Sequence, residues 1–222
     1  NVGALFAKAN GTIATMKMER AMLRLSSGLR INGAADDAAG LAVATTMKSQ
    51  LLGTNMSIRN SADAVGLIQT AESGMNTVSN IVLRMRELAV QAGNGTMNSD
   101  DQAALDKEFQ ALDDEVNRIA SKTTWAGTKL LDKTGGTSGT FKFQAGVKAS
   151  ETIDVTIADM QSAALGIASL AVSDTTKANA AITALDTAIK KVSTERANLG
   201  AFSNRLESTI SNINQIGVNL AA

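Results

Sequence analysis

Two adjacent acids, Asp36 and Asp37, are the first side chains in this sequence whose types could do chemistry, as a carboxylate pair for metal binding or acid–base work. Neighbours on a helix point about 100° apart, and no His or third acid lies close by in sequence. Capping is the better use: either carboxylate can accept from the free N–H groups of the helix that follows and complement its positive end. A second candidate, Gly135-Gly136-Thr137-Ser138-Gly139, lacks the Lys-Ser/Thr of a phosphate loop and reads as a flexible turn. In a third group, Arg84, Arg86 and Glu87 flank Leu88 on a helical stretch, with Glu108 on the next; by pattern alone this is a solvated charged face. Asn10-Gly11-Thr12, Asn55-Met56-Ser57 and Asn94-Gly95-Thr96 fit the N-glycosylation triplet, a short pattern that is common by chance and presupposes eukaryotic secretion.

Composition narrows the chemistry further. The 222 residues contain no Cys and no His, so there is no thiolate nucleophile, no disulfide, no imidazole base and no sulfur- or imidazole-ligated metal. The expectation is a protein that is not an enzyme and takes no cofactor. Twenty-one basic and twenty-one acidic residues cancel, so nothing steers the whole molecule toward nucleic acid. No run of about 18 apolar residues exists to insert in a membrane, and the opening residues show no charged-then-apolar leader. With 44% hydrophobic residues but only 3% aromatic ones, the apolar content is Ala, Leu, Ile, Val and Met, which suits close helix packing. The absence of Pro leaves helices unbroken and assigns every turn to Gly.

The elements that must position these residues are helical. From Val2 to Leu25 an apolar stripe passes through Leu5, Ala9, Ile13 and Met16, and less regularly Met22. A later seam is regular: Ile68, Met75, Val82 and Ala89 lie seven apart, as do Ala71, Val78, Met85 and Ala92. A helix from Ala39 to Ala92 would be about 80 Å long, too long for one compact domain. Gly93-Asn94-Gly95 ends it, and Asn98 to Asp101 offers caps for a helix with Leu105, Phe109, Leu112, Val116 and Ile119 on one face. Thr140–Gly146 and Glu151–Met160 alternate apolar with polar around a glycine-containing turn, the pattern of a β-hairpin. After Ser173-Asp174, a possible cap, Leu185, Val192, Leu199, Leu206, Ile213 and Leu220 recur every seven residues, with Ile189 and Ile210 in the partner positions. The fold class is therefore mainly α: an elongated antiparallel helical bundle or coiled-coil rod with a small β-hairpin region.

LSSGLRIN (Leu25–Asn32) followed by DDAAGLAVA (Asp36–Ala44), together with RMRELAVQAGNGT (Arg84–Thr96), closely resembles the N-terminal region of bacterial flagellins. FKFQAG (Phe141–Gly146) is similar to that family's β-hairpin motif, and ANLGAFSNRLESTISNI (Ala197–Ile213) to its C-terminal rod helix. The resemblance runs through almost the whole chain in the family order. It implies a structural subunit of the flagellar filament, polymerising through its terminal helices and rod domain for motility; a flagellin-like cell-surface binding protein or a hook–filament junction protein is the alternative. It also implies a chain trimmed at both ends and lacking the large outer domains that many flagellins insert.

From the resemblance follow the expected divisions: a partial N-terminal axial helix and joint over 1–35, the N-terminal rod helices over 36–125, a β-hairpin and loop region over 126–172 and the C-terminal rod helix over 173–222. Gly28, Gly33, Asp36 and Asp37 form the joint between axial helix and rod, the glycines supplying backbone angles that other residues adopt only at a cost. The positions matching Arg84, Leu88 and Glu108 belong in the family to a surface contacted by the vertebrate Toll-like receptor for flagellin, overlapping inter-subunit contacts. The implied partners are further copies of the chain, flagellar export and junction proteins and that receptor, with no nucleic acid and no membrane insertion. The implied location is extracellular, at the flagellum on the cell surface, reached without a cleavable signal peptide.

Overall fold

The computed structural model describes residues 2–221. The fold is mainly α, with two small antiparallel sheets, as the periodicities require. Helices α1 (Val2–Ser27), α2 (Ala38–Ala92) and α3 (Ser99–Lys122) come first. They are followed by the strands β1 (Thr124–Trp125), β2 (Thr128–Lys129), β3 (Thr140–Gln144) and β4 (Thr152–Thr156), the single turn α4 (Ser162–Leu165) and α5 (Thr175–Ala221). The chain divides into two compact units, Asn1–Leu52 and Gly53–Ala222, with the boundary inside α2.

In the second unit α2, α3 and α5 share one apolar core. Both heptad seams are buried on α2: Ile68, Met75, Val82 and Ala89 with Ala71, Val78, Met85 and Ala92. On α5 the buried line is Leu185, Val192, Leu199, Leu206 and Ile213, as expected, while Leu220 is half-buried. Ala181 and Ala188 are fully buried beside that line, and Ile189 and Ile210 are only half-buried. Small side chains at the contact let two helix backbones approach closely, and the larger β-branched residues sit at its edge. The ion pairs Arg86–Asp186 at 2.6 Å and Arg196–Glu72 at 3.6 Å set α2 and α5 antiparallel, since one number rises as the other falls. Toward the start of the unit the α2 seam continues in phase but turns polar, through Ala64, Ser61, Ser57 and Thr54, all buried. The Ser61 hydroxyl has no hydrogen-bond partner.

Helix α3 begins where the sequence signals it. The Asn98 side chain accepts from the backbone N–H groups of Asp100 and Asp101 at 2.9 and 2.8 Å, and those two acids complement the positive helix end. Asp174 caps α5 in the same way, accepting from the Lys177 N–H at 2.8 Å. The expected hairpin is β3–β4, with Phe141 opposite Val155 and Phe143 opposite Ile153 facing the core, and Lys142 opposite Asp154 facing out. A second, tighter hairpin pairs β1 with β2 through Ala126 and Gly127, both at positive φ (47° and 80°), the twist that two-residue hairpins favour. Trp125 of β1 lies over Gly66 of α2, where a β-carbon would stand 2.8 Å from the indole ring.

Side chains of α3 fasten the segment that returns to α5. Asn117 exchanges bonds with Ser162, Gln110 donates to the Leu170 carbonyl, and Asp106 accepts from the Val172 N–H at 2.6 Å. The Gly135–Gly139 stretch, expected to be flexible, is a packed turn: Gly139 N–H donates to the Gly135 carbonyl, and Gly136, Ser138 and Gly139 all take positive φ.

Candidate functional site

The connection between α1 and α2, where the sequence placed a joint, belongs to the first unit and is a built turn. Gly28 closes α1, its N–H donating to the Arg24 carbonyl, and it takes φ +67° with nothing near its missing side chain. Left-handed backbone costs an L-residue about 1–2 kcal/mol, so glycine is required here by conformation. Gly33 differs from expectation, because its φ lies outside the left-handed region and a β-carbon there would meet nothing. The two acids divide the work. Asp36 accepts from the Asn32 N–H at 3.3 Å and folds the turn back on itself. Asp37 accepts from the Gly40 N–H at 2.8 Å and caps α2. Gly40, which sequence reasoning passed over, is constrained by space: a β-carbon there would stand 2.9 Å from Ile31 Cδ1 and crowd the Asp37 carboxylate. The α1–α2 turn thus rests on Gly28, Asp36, Asp37 and Gly40.

Helix α1 leads into that joint and buries none of its residues. Val2, Leu5, Phe6, Ile13, Met16, Met18, Met22, Leu23 and Leu25 are all exposed. At 100° per residue, Val2, Leu5, Phe6, Ile13, Met16 and Leu23 fall on one half of the helix, and Met18, Met22 and Leu25 on the other. The irregularity noted at Met22 is therefore a second apolar face.

In the second unit, Arg84 on α2 and Glu108 on α3 meet across the two helices. Arg84 Nε and Nη2 donate to one Glu108 oxygen at 3.1 and 2.9 Å, while Nη1 donates to Glu87 at 3.0 Å. The bond it donates to Glu87, then those to Glu108, hold the guanidinium still more firmly protonated. Arg86 points to the other side of α2 and pairs with Asp186 of α5, whose carboxyl it holds below the usual range. Leu88 corrects the expectation of a surface residue: it is only 1% exposed and lies in the core. Since α3 and α5 both cover α2, its apolar face is wide enough to bury Leu88 and Ala89 together. The exposed apolar side chains of this part of α2 are Leu83 and Val90.

The chain matches the family model of the bacterial flagellin N-terminal helical region over residues 1–135, and that of the flagellin C-terminal helical region over residues 182–222. This chain belongs to the bacterial flagellin family. Its similarity to a flagellin of Halalkalibacterium halodurans is 44% identity, covering 100% of this chain and 81% of that protein. A flagellar filament 33 kDa core protein of Treponema phagedenis is 38% identical, with 100% and 80% covered. Among solved structures, a Bacillus cereus flagellin superposes with a TM-score of 0.63 at 38% identity, covering 70% of this chain and 88% of the other. A putative flagellar hook-associated protein from Vibrio parahaemolyticus shares the fold at a TM-score of 0.69 and 14% identity, covering 85% and 97%. The flagellin models take in the joint, both members of the Arg84–Glu108 pair and the seam of α5 from Ile182 onward.

Proposed function

We propose that this flagellin is a structural subunit of the flagellar filament, outside the bacterial cell, and that α1 is the element through which it polymerises. The observation that carries this reading is the exposure of every large apolar side chain of α1. Burying a Val, Leu, Ile, Phe or Met side chain stabilises by about 1.5–3 kcal/mol each, so a helix that buries none gains only when another surface covers it. Two opposite apolar faces suit a helix packed between more than one neighbour. Contacts of this kind that do not close on themselves build a filament. The role is mechanical, with no catalytic step.

The outer surface of α2 and α3 supplies the second contact. Arg84 and Glu108 would meet a neighbouring subunit or the vertebrate Toll-like receptor, with Leu88 holding the helix beneath them. Export and junction proteins would recognise the same terminal helix before and during assembly. Among the described residues no helix is long and apolar enough to cross a membrane, which suits α1 to a protein neighbour.

The test replaces Phe6 and Ile13 by Asp in the full-length protein and measures filament yield by sedimentation and electron microscopy. Loss of filaments with unchanged melting of the second unit is expected, because neither side chain is buried in the subunit. Normal filaments from the double variant would overturn the proposal. A junction protein would differ from the outset, since it would not polymerise alone.

A further inference from the structure

The loop between α2 and α3 holds an Asn-Gly pair, Asn94-Gly95, whose surroundings differ from those of the other two such pairs in the chain, Asn10-Gly11 and Asn32-Gly33. Both residues are exposed. The Asn94 backbone is tied at both ends: its N–H donates to the Gln91 carbonyl at 3.1 Å and its carbonyl accepts from the Met97 N–H at 3.2 Å. Its side-chain oxygen accepts from the Thr96 N–H at 3.3 Å. Among the hydrogen bonds of the described residues, the Gly95 N–H donates to none. A free, unhindered backbone nitrogen therefore stands next to a side-chain amide whose carbonyl is polarised by a hydrogen-bond donor.

We propose that Asn94 is a site of spontaneous covalent change, losing its side-chain amide as ammonia through a cyclic imide with Gly95. The Gly95 nitrogen gives its proton to water or hydroxide and attacks Cγ of Asn94. The new N–Cγ bond forms, the Cγ–Nδ2 bond breaks, and Nδ2 leaves as ammonia after taking up a proton. Negative charge develops on Oδ1 during the attack, where the Thr96 N–H stabilises it. Water then opens the ring. Attack at Cγ leaves Asp at position 94, and attack at the main-chain carbonyl leaves a β-linked aspartate, with one more carbon in the backbone. Nothing is oxidised or reduced, and the only co-reactant is water.

The other two pairs lack this combination. Gly11 lies inside α1, where its N–H belongs to the helical ladder while the helix is formed and is freed where α1 opens in the unassembled chain. Among the described residues no backbone N–H polarises the Asn10 side-chain oxygen as that of Thr96 does for Asn94. Asn32 is held through its N–H by Asp36, and the charges of Asp36 and Asp37 disfavour the amide anion that must form at Gly33. Substitution at Gly95 is also clean: its φ lies outside the left-handed region and a β-carbon would meet nothing within 4 Å.

The product has consequences for the loop. A carboxylate at position 94 adds a negative charge just past the negative end of α2, where a helix dipole disfavours it. The β-linked product lengthens the turn that the Gln91 and Met97 bonds close. Older molecules of this extracellular chain would therefore differ from new ones in charge and in the α2–α3 connection.

The experiment incubates the folded protein in mildly alkaline buffer and follows ion-exchange mobility, released ammonia and the masses of proteolytic peptides. Conversion is expected first at Asn94, giving both Asp and β-linked products. Gly95→Ala should slow it about tenfold, through a barrier raised by a β-carbon beside the attacking nitrogen, with the melting temperature unchanged. Conversion at Asn32 ahead of Asn94, or a Gly95→Ala variant converting as fast as the parent, would overturn the proposal.

Discussion

Replacing Gly28 by Ala tests whether the joint turns because of one backbone angle. At φ +67° with open space around it, the substitution meets no steric obstacle, so the whole effect is conformational. An L-residue in the left-handed region costs about 1–2 kcal/mol. In the competing state, where α1 continues through the joint, Ala gains about 1 kcal/mol over Gly. Together these move the balance toward a continuous helix by about 2–3 kcal/mol, or about thirty- to 150-fold. Gly33→Ala is the matched control, because Gly33 is outside the left-handed region and equally uncrowded; it should shift the balance by no more than about 1 kcal/mol. The assay is paired: helical content by circular dichroism on the monomer, and filament yield of the full-length variants by sedimentation and electron microscopy. Gly28→Ala should gain helix and lose most of its yield, with Gly33→Ala close to wild type. A Gly28→Ala variant that assembles normally, or a Gly33→Ala variant equally impaired, would refute the reasoning.

Two further glycines separate space from propensity: Gly200→Ala on α5, with nothing within 4 Å, should raise stability by about 0.5–1 kcal/mol, whereas Gly74→Ala should lower the melting temperature because its β-carbon would stand 2.7 Å from Leu131 Cδ1 and 2.9 Å from Thr123 Oγ1. Asp113 lies on α3 with burial as the main force raising its carboxyl, an opposing bond from Ser162 and a small addition from Asp114, and one oxygen has no partner. A raised carboxyl contributes stability below the ordinary carboxylate range and loses it as pH rises through its folded value, so Asp113→Asn should melt above wild type at neutral pH, with the gap closing on acidification. Burial works to raise Asp132 too, but bonds from the Thr134 hydroxyl, Lys129 and the Thr134 N–H outweigh it and hold the carboxyl low. Its contribution is present above the ordinary carboxylate range and lost as pH falls through the depressed value; Asp132→Ala should cost about 1–3 kcal/mol at neutral pH by chemical denaturation, a penalty that shrinks in acid.

What could be read from the sequence was what a single period or a single cap determines. The heptads of Ile68–Ala92 and Leu185–Ile213 are legible because one residue class repeats, and Asn98, Asp174 and Asp37 because a short acceptor before an apolar run has one local use. The polar continuation through Ser61, Ser57 and Thr54 keeps the spacing but abandons the residue class, so no apolar pattern marks it. The β1–β2 hairpin turns on Ala126-Gly127 in place of the usual Asn-Gly or Asp-Gly, and Ala carries no turn signal. The flagellin resemblance places Leu88 on the surface, and Arg84, Arg86 and Glu87 around it read as a charged face; the burial of Leu88 follows from a second helix covering α2, a tertiary fact with no local trace. Gly40 escaped notice for the same reason, since the Ile31 side chain that crowds it arrives from across the turn.

Hydrogen exchange along α1, measured in the monomer and again in the assembled filament, tests the central claim most directly. A helix that buries nothing and depends on neighbours for its stability should exchange within the first time points as a monomer and become strongly protected in the filament, while the α2–α5 seam is protected in both. Strong protection of α1 in a proven monomer, or none gained on assembly, would contradict the account.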